Sequence, residues 1–146
     1  MNHFTISELI KSDTAIERRI WNGASKAVED NLRQLVDNIL DPLRERLGKP
    51  ITVNSGYRCP VLNKAVGGVP NSQHVTGCAA DITTGSVEGN RALMRLLVDG
   101  GLHYDQLIDE ANYKWLHVSY NPCGVNRRQL LRMRGGKYTA IKEEEI

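Results

Sequence analysis

Between Ala24 and Leu47 the apolar residues Ala24, Val28, Leu32, Leu35, Val36, Ile39, Leu40, Leu43 and Leu47 recur at intervals of three and four, the spacing of one apolar stripe on a long helix. Gly48 follows in the position favoured for a C-cap. Pro42 interrupts the pattern by removing a backbone donor, so the helix either kinks there or restarts with Asp41 as N-cap. Upstream, Thr5-x-x-Glu8 reads as a capping box that opens a short helix after Phe4. Downstream of "GKP" the pattern changes to the β-branched run "ITVNSGY", a strand, and "CPVLNKAVGG" reads as a short helix ended by glycines. A period of two marks strands at Cys78 to Thr83, Tyr104 to Asp109 and Trp115 to Tyr120, with a helix over Ser86 to Val98 stopped by Gly100 and Gly101. The polar, charged stretch from Lys137 to Ile146 is expected to fray. No repeat, low-complexity tract or linker divides the chain, so residues 1–146 are expected to form one α+β domain.

The strand phase bears on chemistry. Ala79, Asp81 and Thr83 share one face and Ala80 and Ile82 the other; Trp115, His117 and Ser119 likewise oppose Leu116, Val118 and Tyr120. One face is core, and the other is free to be a site. A carboxylate inside the small, apolar run "CAADIT" is costly unless it is paired or metal-bound, so Asp81 demands a partner. If the two strands are neighbours, Asp81 and His117 project from one side of the sheet and His74 reaches them from the preceding loop. Two imidazoles and a carboxylate suit Zn²⁺ with a fourth position open for water. Gly77 would let the chain turn tightly between His74 and the strand. The competing reading of the same residues is a hydrogen-bonded cluster in which Asp81 accepts from an arginine or a backbone amide.

Composition narrows the classes. With 146 residues, 40% hydrophobic and 25% charged, the chain is long enough for one ordinary globular core. A net charge of +2 is too small to argue for nucleic acid. No window approaches the roughly 18 apolar residues of a membrane span, and "MNHFTISELIKSD" lacks the regions of a signal peptide. The expectation is a monomer, cytoplasmic as synthesised, with no membrane partner. Cys59, Cys78 and Cys123 are odd in number and match no zinc spacing, so they are expected to be reduced and structural.

Ser72, His74, Gly77, Ala79 and Asp81 spell S-x-H-x-x-G-x-A-x-D, and together with "WLHVSY" they resemble the zinc D-alanyl-D-alanine carboxypeptidases, peptidase family M15. "FTISELIKSDTA", "PITVNSGYRCPVLNKAVGG", "YDQLI" and "NRRQLLR" look like its phage and bacterial branch. The resemblance implies an α+β fold of the hedgehog and D,D-peptidase kind, with a small antiparallel sheet carrying a zinc site against helices. It implies zinc-dependent hydrolysis of peptidoglycan stem peptides, as a D,D-carboxypeptidase or endolysin-like endopeptidase, reaching the wall through a holin or on a virion. His74, Asp81 and His117 are implied as zinc ligands, and Arg58 in "SGYR" as the cation for the substrate's carboxylate or scissile carbonyl. Arg58 is expected to serve substrate and not the fold, because it stands in a turn where no core requires a cation.

The chain departs from the family at one point. Better-known members carry an acidic residue, or sometimes a histidine, three positions before the last ligand; here it is Lys114. Glu110 is the first replacement as general base, with Asp109 expected on the opposite face and His103 a weaker candidate. Ser72 either bonds substrate or orients the loop, and Trp115 either flanks a substrate groove or packs. Two other readings compete: an inactive zinc-containing wall-binding or phage structural module, and a nucleic-acid binder using Arg127, Arg128, Arg132, Arg134 and Lys137. Those five cations are otherwise expected to form a solvated or wall-attracted face.

Overall fold

The apolar stripe becomes the spine of the protein in the computed structural model, which describes residues 1–146. Helices α3 (Lys26–Leu35) and α4 (Asp41–Leu47) run into one another through a wider π turn, Val36–Leu40. Pro42 explains the joint, because its ring crowds the carbonyl four residues back and it has no N–H to donate. The turn closes with the Asp41 N–H on the Val36 carbonyl, five residues back, so the helix bends without stopping. Asp41 is therefore helical, with φ −63° and ψ −50°, and does not act as an N-cap. Its buried carboxylate accepts the backbone N–H groups of Asn2 and His3 at 2.6 and 3.0 Å, which pins the N-terminal arm.

The other helices begin at side-chain caps or at a proline. Thr5 Oγ1 accepts the Glu8 N–H at the start of α1 (Ile6–Ile10), and Ser12 caps α2 (Asp13–Glu17). Helix α5 (Pro60–Ala65) starts on a proline, and Ser86 caps α6 (Val87–Asp99).

Six strands form one sheet in the order β1-β2-β4-β3-β5-β6. They are β1 (Thr52–Ser55), β2 (Ala79–Thr83), β3 (Gln106–Glu110), β4 (Trp115–Ser119), β5 (Gln129–Arg134) and β6 (Lys137–Ala140). Neighbours are antiparallel except β3 and β5, which run parallel. The α+β class is as expected, and the sheet extends two strands further than the periodicity indicated. The stretch from Lys137, expected to fray, instead forms β6 and a short 3₁₀ turn, Glu143–Glu145. Gly135 and Gly136 make this possible: their φ angles of 56° and 78° suit a two-residue hairpin turn that folds β6 back on β5. Ala80, Ile82, Leu107, Leu116, Val118 and Leu130 pack one side of the sheet against the helices. The other side is open.

Four of the five cations are bonded within the protein, and Lys137 alone is a free exposed cation. Arg132 and Arg134 converge on the fully buried Asp109 at 3.0 and 2.7 Å, and Arg127 grips Asp105 at 2.8 Å. Arg128 donates to the Gly101 carbonyl. Asp109 also accepts the Tyr113 N–H at 2.8 Å, so one carboxylate ties β3, β5 and the β3–β4 turn together. Removing it by Asp109→Ala should lower the unfolding free energy by about 3 kcal/mol. Urea denaturation measures this, and a loss well under ~1 kcal/mol would mean that the arginines hold their places without it.

Candidate metal centre

The register of β2 on β4 sets Asp81 directly opposite His117, on the side of the sheet away from the core. Cross-strand partners lie close enough for their side chains to meet. His74 arrives from a short 3₁₀ turn, Gln73–Thr76, whose start is capped by Ser72 Oγ accepting the His74 N–H at 3.3 Å. Gly77 ends that turn at φ 77°, and a Cβ there would press on the Val28 carbonyl and Cγ1 at 2.9 Å. Conformation and space therefore both select glycine.

The orientation of His74 is set from behind. Its Nδ1 lies 2.7 Å from the Gly56 carbonyl oxygen, and with the proton donated there, Nε2 presents its lone pair to the site. Gly56 in turn is fixed by α1: the Tyr57 N–H donates to the Leu9 carbonyl at 2.8 Å, and a side chain at position 56 would collide with that carbonyl.

Asp81 Oδ1 sits 3.2 Å from both His74 Nε2 and His117 Nδ1, and the two rings meet edge to face with centroids 5.1 Å apart. One donor atom from each of the three residues lies within 4.8 Å of the other two. Zinc bonds of about 2.0–2.1 Å give a tetrahedron with edges of about 3.3–3.4 Å, so the two 3.2 Å separations fit the ion. Burial works to raise the Asp81 carboxyl, but when the rings carry protons on the nitrogens that face it, hydrogen bonds from His117 and His74, and their charges, outweigh burial and hold the group well below the usual carboxylate range. Arg58 takes the second oxygen, Asp81 Oδ2, at 3.4 Å, while its Nε donates to Ser55 Oγ at 3.0 Å and its Nη1 to Asn63 Oδ1 at 3.1 Å.

These groups line a cleft of about 830 Å³ that also holds Ser72, Trp115 and Glu110. Glu110 pairs with Trp115 across β3 and β4 and is 8% exposed. Burial raises its carboxyl, and the Asp81 charge raises it further, against smaller opposing effects of His117 and Arg58. Its position depends on the turn that follows, where Ala111, Asn112 and Tyr113 all adopt left-handed φ angles of 49°, 56° and 61°. Left-handed residues other than glycine cost about 1–2 kcal/mol each. Asp109 and the fully buried Asn90 offset that cost: Asn90 Nδ2 donates to the Tyr113 and Lys114 carbonyls at 2.9 and 3.0 Å.

Of the other base candidates, Asp109 faces away from the cleft among its arginines and His103 sits beside Arg128 at 3.1 Å. Lys114 is exposed on the turn and does not line the cleft. Sequence reasoning missed Ser55 and Asn63, which fix Arg58, and Met133 and Tyr138, which line the cleft from β5 and β6. Asn63 lies three residues past the helix start at Pro60 and carried no motif.

Two imidazoles and a carboxylate converging in an open cleft, with a further carboxylate alongside, are the donor set of a metalloenzyme. The chain belongs to the Peptidase M15 family, whose model matches residues 2–119. It is similar to the zinc D-Ala-D-Ala carboxypeptidase of Streptomyces albus G, 50% identical over 48 residues, which are 32% of this chain and 19% of that protein. The match thus spans well under two thirds of the relative's length. Family and relative imply zinc, and the donors present fit it.

Arg58 was expected to have no part in the fold, yet three side chains anchor it. Arg58→Lys should therefore lower stability by about 1–2 kcal/mol, since a lysine cannot serve Ser55, Asn63 and Asp81 at once. Thermal melts of the metal-free proteins test this, and an unchanged melting temperature would return Arg58 to a purely substrate-facing role.

Proposed function

We propose that the protein is a zinc-dependent peptidase that cuts peptidoglycan stem peptides, as a D,D-carboxypeptidase or an endopeptidase. The observation that carries the reading is the convergence of His74, Asp81 and His117 in a cleft that also holds Glu110, a carboxylate with no cation bonded to it. The substrate class is supported by the name of the Streptomyces relative. No helix is long and apolar enough to cross a membrane. Delivery to the wall by a holin or on a virion would suit an enzyme of this kind.

In this reading His74 Nε2, an Asp81 oxygen and His117 Nδ1 would hold the zinc. When bound, zinc supplies Lewis acidity to a water molecule and to the scissile carbonyl. Glu110 takes the proton of the attacking water and passes it to the leaving amine nitrogen, for which its raised pKa suits it. Arg58 retains free N–H groups on Nη1 and Nη2 that can meet the carbonyl oxygen or a terminal carboxylate of the substrate. Ser72 lines the cleft and offers a hydrogen bond, while Trp115 flanks the groove beside Glu110.

Two measurements test these roles. His74→Ala should lose its zinc on elemental analysis after purification without added metal; a variant of full metal content would remove His74 from the ligand set. Glu110→Gln should keep zinc and lose activity on purified peptidoglycan by about a hundredfold or more, while Lys114→Ala changes little. Because a base must be ionised, the wild-type rate should fall at acid pH as Glu110 takes up a proton. An active Glu110→Gln protein would reassign the base, whereas a zinc-loaded but inactive wild type would point to a wall-binding module.

A further inference from the structure

Residues 120–146 lie outside the range matched by the family, yet β5 and β6 build one wall of the cleft. The register sets Trp115, Glu110, Met133 and Tyr138 in one row across β4, β3, β5 and β6. A second row on the same face holds His117, Ile108 and Leu131. Adjacent strands are about 4.8 Å apart, so the path from β4 to β6 is about 14 Å, the length of about four extended residues. Past Glu110 its floor is apolar, made of Ile108, Leu131 and Met133. Arg127, which also lines the cleft, already makes two bonds to Asp105, from Nε at 2.9 Å and Nη2 at 2.8 Å.

Tyr138 closes the path. It is 60% exposed on the edge strand, without a hydrogen-bonding partner for its hydroxyl, and it leans over the cleft instead of away from it. Burial and then the charges of Glu110 and Asp81 raise its hydroxyl pKa, consistent with a ring directed along the row towards those carboxylates. A large exposed aromatic at the end of an apolar floor is a contact surface for a ligand.

We infer that the β5–β6 hairpin is a substrate subsite. It takes an extended peptide arm of three to four residues on one side of the bond to be cut, with aliphatic side-chain parts over Leu131 and Met133 and a stack against Tyr138. The inference rests on the peptidase reading for where the arm begins. It makes the protein selective for long peptides over dipeptides that end in the same residues.

Binding can be read apart from turnover. Trp21 is 83% exposed and does not line the cleft, so Trp21→Phe leaves Trp115 as the sole tryptophan reporter. In zinc-loaded Glu110→Gln protein on that background, Trp115 fluorescence is titrated with N-acetyl-D-Ala-D-Ala and with the stem pentapeptide L-Ala-D-Glu-L-Lys-D-Ala-D-Ala. The pentapeptide should bind about tenfold tighter or more. Adding Tyr138→Ala or Met133→Glu should cut that preference to under about threefold, while Val125→Ser, at an exposed position that does not line the cleft, leaves it intact. Tyr138→Ala alone decides the matter if the charged Met133 variant fails to fold, as judged by circular dichroism. No length preference, or a preference that survives Tyr138→Ala, overturns the subsite. Cleavage by the zinc-loaded wild type is assayed separately. Length-selective binding without cleavage would sink the peptidase reading and keep the subsite, and cleavage with an unaltered preference would do the reverse.

Discussion

A single carboxylate oxygen, Asp81 Oδ1, is shared by two imidazoles at 3.2 Å, and the surrounding structure is arranged to make that sharing possible. A carboxylate in this setting would be expensive to keep charged without them. His117 comes from the neighbouring strand by register, and His74 comes from a turn that a serine starts and a glycine ends. Arg58 occupies the remaining oxygen, and is itself braced by a strand serine and a helix asparagine. Helix α1, far from any chemistry, enters through Leu9, whose carbonyl fixes the backbone that receives the back of the His74 ring. Disturbing any of these supports would move a donor atom without touching a ligand, and small displacements weaken metal sites strongly.

Much of this was legible along the chain because strands alternate. The phases of "CAADIT" and "WLHVSY" set Asp81 and His117 each opposite an apolar face, which puts them on a common face once the two strands are neighbours, as the register makes them. Helix starts were legible through Thr5 and Ser86, whose side chains take up the first free amides. The fate of Pro42 was not, since a kink and a restart satisfy the same local rule; packing of the unbroken stripe selected the π turn.

The far half of the sheet was hidden for a different reason. In "QLLRMR" adjacent leucines bury on opposite sides of the sheet, one towards the helices and one towards the cleft, which blurs a period of two. "KYTA" is short and polar, and it is a strand because β5 gives it a partner. Nor does the left-handed run Ala111 to Tyr113 carry any glycine to announce it; tertiary contacts from Asn90 and Asp109 impose it. Because these features come from contacts between distant segments, local pattern could not disclose them.

Asp109 and Glu110 are chain neighbours with opposite fates, one clamped by two arginines and the other left without a cation bonded to it in the cleft. The pleat of one strand thus separates a carboxylate bound into the fold from one open to the cleft by a single peptide unit. An insertion or deletion of one residue in β3 would exchange them, locking the cleft carboxylate under arginine and turning its neighbour into the cleft. Changes of length within β3 are therefore tolerable only by even steps, and the turn that follows, braced by Asn90 and Asp109, is held as closely as the strand.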